Sequence, residues 1–253
     1  GPALTKARCE AYAVASQGQY ALARAGGAIE PDRVAVATRH TELGFGLATS
    51  DEPPRPGTSM ADLAVLKTPF RAHGRVTAGN SAGLNDGATA CIVASADAAA
   101  ELGLPVRMRL VAYSFVGVEP EVMGIGPVPA TEKALKAAGL SIADIGLFEL
   151  NEAFAVQVLA FLDHFGLAAD DPRVNRYGGA IATGHPLASS GIRLMTQLAR
   201  QFEEKPEVRY GLTALCIGIG MGGAVIWENP NHQDYARELE TIQKVDDTTA
   251  VIA

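Results

Sequence analysis

Three short, mostly apolar runs constrain this chain more than any other feature. Residues 145–150 (IGLFEL), 212–216 (LTALC) and 224–227 (AVIW) are too short for helices, and turn residues break the chain around them, so they read as buried strands. The stretches between them carry apolar residues at helical spacing instead. Phe154, Val158, Phe161 or Leu162, and Phe165 share one face, and Leu194, Leu198 and Phe202 share another. Upstream, residues 106–118 read as a strand and 131–138 as a helix, with Gly139 placed to cap its C-terminus. From residue 105 the order is therefore strand, helix, strand, helix, helix, strand, strand. Such alternation buries a sheet beneath helices, which is an α/β layered domain, expected here over residues 105–228.

The first 104 residues are less regular. Residues 5–26 are alanine-rich and predict a helix that stops at Gly26-Gly27. Residues 33–39 form a short β-like run. Residues 48–59 hold Asp51, Glu52, three prolines and a glycine, and predict an irregular loop. The apolar residues 88–94 predict a buried strand, or the approach to a helix at 98–102. A boundary is expected near Leu104-Pro105. After Asn229 the chain turns polar, so residues 229–253 predict a loose tail, with a helix at 235–244.

Composition excludes several classes of function. Of 253 residues 48% are apolar, enough for a core. The formal net charge of −7 opposes a broad nucleic-acid surface, because the phosphate backbone would be repelled. No apolar run has the length of a membrane span, and no secretory pattern opens the sequence. Cys9, Cys91 and Cys216 are odd in number and far apart, which fits neither a disulfide framework nor a metal site. A reducing, cytoplasmic compartment is the expectation.

Three places carry residues suited to chemistry. Asn151-Glu152-Ala153-Phe154 lies where a strand ends and a helix begins; its asparagine is either a helix cap or a donor to a developing oxyanion. Residues 178–186 (GGAIATGHP) put three glycines before His185 and a proline after it. Pro186 predicts a first helical turn, and a helix N-terminus would hold His185 neutral, fit to accept a proton. The other reading is a structural histidine. Cys216 closes a strand and is followed by IGIGMGG, a turn whose glycines bare backbone amides toward an oxyanion while the thiol carries a proton. A strand cysteine is otherwise a small hydrophobe.

Together with TAGNSAGLNDGA at 77–88 and MGIGPVPA at 123–130, the segments NEAF, GGAIATGHPLASSG and CIGIGMGG resemble the motifs of the thiolase family in order and spacing, up to Glu228. The resemblance implies a thiolase-like α/β fold: a complete C-terminal half, plus the lid and last elements of the N-terminal half, the latter over residues 1–104. It implies an acyltransferase that cleaves a 3-ketoacyl-CoA to acetyl-CoA and a shortened acyl-CoA, or runs the reverse condensation. Acetoacetyl-CoA thiolase is the near alternative. By resemblance, His185 activates an acyl-accepting cysteine and polarises the thioester oxygen, and Cys216 moves the proton beside the acetyl-CoA carbonyl. Asn151 positions a water in one oxyanion hole, and the Gly218 backbone lines a second. Arg55, Ala78, Met123 and Phe154 are implied as contacts of coenzyme A, a substrate rather than a resident cofactor.

Two positions depart from the family pattern. Ala82 stands where a serine is usual, and Ala188-Ser189-Ser190 replaces Gly-Ala-Ser. The motif of the acyl-accepting cysteine is not among these residues and is expected in an N-terminal part, so this chain alone is expected to be inactive. A ketoacyl synthase shares the fold but would lack the Cys216 base and place a histidine at Asn151. A non-catalytic fragment that binds coenzyme A is the alternative of another class. The family implies a homodimer or dimer of dimers, with a companion N-terminal chain or a β-oxidation complex as further partners.

Overall fold

The computed structural model describes residues 3–40, 44–235 and 250–252. Helix α1 (Lys6–Ala25) opens with the Thr5 side chain accepting from the Arg8 backbone N–H and closes where Gly27 takes φ +75°. Strands β1 (Val36–His40) and β2 (Gly44–Ala48) make a separate antiparallel pair. A loop leads to the short α2 (Met60–Ala64), which Ser59 and Asp62 open with a reciprocal capping box. Strand β3 (Val93–Ser95) and helix α3 (Ala96–Glu101) follow.

The remaining elements build one mixed sheet. They are β4 (Met108–Gly117), α4 (Pro127–Ala138), β5 (Ile145–Leu150), α5 (Ala155–Phe165), α6 (Ala180–Thr183), α7 (Ser190–Glu204), β6 (Tyr210–Ile217), β7 (Met221–Glu228) and β8 (Ala250–Ile252). The strand order is β3-β8-β4-β7-β6-β5, with only β5 and β6 parallel.

The period of two along each strand sorts side chains between two layers. Phe148, Leu150, Leu212, Ala214, Ala224 and Ile226 face one core with α4 and α5, and α1 joins the same core through Cys9, Tyr12 and Ala13. Leu147 and Trp227 face the opposite way, against Leu198, Ala199 and Phe202 of α7. The strand at 145–150 is buried on both faces because helices cover both.

Some expectations are corrected. Helix α4 starts four residues before Thr131, because Pro127 and Pro129 sit in its first turn, where backbone N–H groups need no helical partner. The buried strand expected at 88–94 shrinks to Val93–Ser95. Residues 83–92 are irregular and exposed, and among the described residues β3 is an edge strand whose one strand partner is β8. The tail is not uniformly loose, for β8 slots between β3 and β4. The helix expected at 235–244 lies outside the described residues beyond Tyr235. No helix among the described residues is long and apolar enough to cross a membrane.

Candidate active site

Strands β5 and β6 run parallel, so their C-terminal ends lie at the same edge of the sheet. The Asn151 backbone N–H donates to Ala214 O at 2.9 Å, which ties the residue after β5 to a point two residues before Cys216. Asn151 is fully buried. It does not cap a helix: α5 begins at Ala155, and Phe154 takes the cap position without a side-chain bond. Its amide is instead held by side chains from the loop before α7 and from α7 itself. Nδ2 lies 3.1 Å from His185 Nε2, and Oδ1 accepts from Arg193 at 3.3 Å.

His185 does not open a helix either. It sits between α6 and α7, in a segment where Pro186 O accepts from the Ser189 and Ser190 backbone. Its backbone N–H donates to Gly83 O at 2.9 Å, and Nδ1 lies 2.6 Å from Ser190 Oγ. The imidazole pKa is lowered, by burial first and by the Arg193 charge second. Gly184 allows the approach, since a β-carbon there would meet Asn85 Oδ1 at 2.1 Å and its φ is +91°.

Glu152, the neighbour of Asn151, anchors the surrounding loops. Its carboxylate accepts from Tyr12 and Ser16 of α1, from Asn175 and from the Ile181 backbone, at 2.7–3.1 Å. Gly179 packs flush on it, a β-carbon there falling 2.3 Å from the carboxyl carbon. The helix α1 and the glycine-rich stretch are thereby locked to the end of β5.

Cys216 lies at the end of β6, opposite Gly222 of β7. Burial raises its thiol pKa, so the resting group is a thiol. The turn that follows is unusual at Ile219, a β-branched residue at φ +69°. Gly218 has open space where a side chain would stand, so packing does not demand a glycine there. Gly222, in contrast, touches the Gly126 backbone: a β-carbon would fall 2.0 Å from its carbonyl carbon. That close approach seats the 120–126 turn, which carries Met123, on the β6–β7 hairpin.

The residues named for coenzyme A fall on neighbouring elements. Ala78 begins a single helical turn (78–80), and Ser81 next to it bridges Phe154. Gly124, adjacent to Met123, packs against Gln157 of α5, one turn beyond Phe154. Arg55 is exposed in its loop and tethered to α1 through its backbone N–H on Gln17 Oε1, at 2.9 Å. The Ala82 backbone N–H donates to Ala153 O at 3.0 Å. Sequence reasoning missed Ser190, Arg193 and Glu152. Their signal is only a fixed offset from His185 and Asn151, on elements whose packing the sequence does not display.

The chain matches two family models, the thiolase N-terminal domain over residues 3–97 and the thiolase C-terminal domain over residues 104–229. It is 46% identical over 219 residues to the 3-oxoadipyl-CoA/3-oxo-5,6-dehydrosuberyl-CoA thiolase of Escherichia coli, covering 87% of this chain and 54% of that protein. It is 52% identical over 180 residues to a 3-ketoacyl-CoA thiolase of Pectobacterium carotovorum, covering 70% and 46%. Human mitochondrial 3-ketoacyl-CoA thiolase superposes with a TM-score of 0.84 at 39% identity, over 89% of this chain and 56% of that one. The same enzyme in complex with CoA gives a TM-score of 0.82. The chain spans about half the length of the curated relatives it matches. With the α/β fold of the human enzyme and both family models along its length, the chain belongs to the thiolase family.

Proposed function

We propose that this chain supplies the coenzyme A-binding and proton-transfer parts of a 3-ketoacyl-CoA thiolase, whose acyl-accepting cysteine lies outside these 253 residues. The observation that carries the reading is the meeting of Asn151 and His185, 3.1 Å apart, at the sheet edge where β6 delivers Cys216. Names among the relatives support a 3-oxoacyl thioester as substrate, with chain length left to the rest of the site.

In this reading the neutral His185 takes the proton of the acyl-accepting thiol. The thiolate attacks the 3-keto carbon, and the bond to the α-carbon breaks. The leaving fragment is the enolate of acetyl-CoA, which takes the proton held by Cys216. The Cys216 thiolate then takes the proton of the coenzyme A thiol, whose sulfur displaces the shortened acyl group, and the released enzyme thiolate recovers its proton from His185. A buried thiol with a raised pKa suits Cys216 as the acid of this step. The enolate and tetrahedral oxygens need preorganised donors, here the imidazolium formed on His185, a water held by Asn151, and the backbone amides after Cys216. Arg55, Ala78, Met123 and Phe154 would line the path of the cofactor-sized thiol substrate.

Two measurements test this. Coenzyme A titrated into the chain should give a saturable heat of binding, and no binding would sink the reading. Acetoacetyl-CoA thiolysis by the chain alone should be absent, and should appear with a companion that carries the acyl-accepting cysteine. In that combination His185→Ala should lower the rate on the order of 100- to 1000-fold. Turnover by the chain alone would place the acyl group on Cys9, Cys91 or Cys216 instead.

A further inference from the structure

We infer that Arg193 is a positioning residue that fixes the proton arrangement of His185 by locking the side-chain amide of Asn151. A guanidinium has hydrogen-bond donors and no acceptor. The Asn151 atom facing Arg193 at 3.3 Å must therefore be Oδ1. The flipped amide would set an NH₂ group against a guanidinium N–H, donor against donor. With Oδ1 turned to Arg193, Nδ2 is left facing His185 Nε2 at 3.1 Å. An amide nitrogen only donates, so Nε2 must present its lone pair. The proton of the neutral ring is then on Nδ1, and Ser190 Oγ, 2.6 Å away, accepts it. The one hydroxyl proton of Ser190 remains for Pro186 O at 2.8 Å. Every partner in the chain Arg193–Asn151–His185–Ser190–Pro186 thus has a single consistent role, and the direction is set at the end that cannot reverse.

Arg193 is itself held. It reaches from α7, its second terminal nitrogen donates to Gln197 Oε1 at 2.5 Å, and the nearby carboxylate of Glu152 attracts it. The catalytic consequence rests on the reading above: a histidine that carries its proton on Nδ1 and presents a lone pair at Nε2 can take a thiol proton there once the thiol replaces the amide as the donor. Once protonated, it finds no acceptor in the locked amide and must direct Nε2–H to a substrate oxygen. The structural claim stands without that reading, which lets the two fail separately.

The test is the tautomer of His185, read by long-range proton–nitrogen NMR on the ¹⁵N-histidine-labelled 253-residue chain at a pH where the ring is neutral, with His185→Gln for assignment. The expected spectrum has a pyridine-like Nε2 and a pyrrole-like Nδ1. Arg193→Lys should retain it, because the ammonium also only donates. Arg193→Met frees the amide to flip, and the single tautomer should give way to a mixture. Ser190→Ala removes the acceptor at the far end but leaves the lock, so the Nδ1–H form should persist. An Nε2–H ring in the unmodified chain would overturn the inference, even if the methionine variant fails to fold. So would an unchanged tautomer in a folded Arg193→Met, or loss of the tautomer in Ser190→Ala alone. If the chain is assayed within an active thiolase, Arg193→Met should lower kcat and spare the KM for coenzyme A, with recovery in Arg193→Lys.

Discussion

Cys216 and Glu149 show how burial at one sheet edge produces two different acids. The Cys216 thiol keeps its proton because a thiolate would be poorly solvated at the end of β6. If it is the proton carrier, Cys216→Ser should abolish deuterium exchange into the methyl group of acetyl-CoA while leaving the melting temperature nearly unchanged. A hydroxyl is far less acidic than a thiol of pKa about 8.5, and the two side chains are close in size. Exchange at the unmodified rate would remove Cys216 from the chemistry. Glu149, wholly buried on β5, has its pKa raised from 4.5 to about 8, chiefly by desolvation; Glu152 adds to the rise, while Arg193, the bond from Gln201 and Arg176 oppose it. A carboxyl with a folded pKa above its unfolded value favours the folded state fully below the unfolded pKa. That contribution drains away as pH climbs through the folded pKa, by up to about 1.4 kcal/mol per pH unit. Glu149→Gln keeps an acceptor for Gln201 without the titration. Its urea midpoint should match the parent near pH 5 and exceed it at pH 8. A parent with flat stability across that window would mean that Glu149 stays charged in its pocket.

Among the elements, the β6–β7 hairpin is the joint on which the site hangs. Gly222 lies against the Gly126 backbone so closely that no side chain fits, and neither partner can move aside without unseating the start of α4. Gly222→Ala should cost about 1–3 kcal/mol in urea unfolding. Gly218→Ala in the same hairpin points into open space and should stay within about 0.5 kcal/mol. Equal stabilities for the two would show that the hairpin and α4 are not rigidly joined. The contrast also marks what a sequence displays. Strand β5, helix α7 and the cap at Gly139 were legible because apolar spacing and a left-handed glycine leave local signatures. For Asn151 the sequence offers a choice between cap and oxyanion donor, and the structure removes the cap, because α5 starts at Ala155 and the amide faces His185 and Arg193. His185 was misplaced to a helix start because Pro186 reads the same in a non-helical turn. Arg193 and Glu152 were invisible, since their partners are set by how α7 and α1 pack rather than by spacing along the chain. The exposure of residues 83–92 was equally hidden, because an apolar run does not declare whether anything covers it.

At the scale of the whole molecule, the surface argues for association. Strands β1 and β2 form only a two-stranded sheet, marginal on its own, yet Val36, Phe45 and Leu47 are exposed on it. On the main sheet, the half of β4 that α7 leaves uncovered exposes Tyr113 and Phe115, whose rings meet at 6.2 Å, and Ile92 and Val93 are exposed at the β3 edge. Apolar side chains spread over three strand regions are more than a monomer's scattered exceptions, and water contact makes each a source of binding energy. The chain should therefore sediment above its 26.3 kDa mass at micromolar concentration, as a self-associated species or with another polypeptide. Each fully covered large apolar side chain contributes about 1.5–3 kcal/mol. The double change Phe45→Asp and Leu47→Asp should then weaken association on the order of 100-fold or more if the hairpin lies in the contact. The same change should leave the His185 tautomer untouched, because among the described residues β1 and β2 share no hydrogen bond with the Asn151–His185–Arg193 set. Tyr113→Ser with Phe115→Ser makes the parallel test for the sheet face. A compact monomer at every concentration, unaffected by either pair, would show that these side chains tolerate water and that the exposed strands carry no partner.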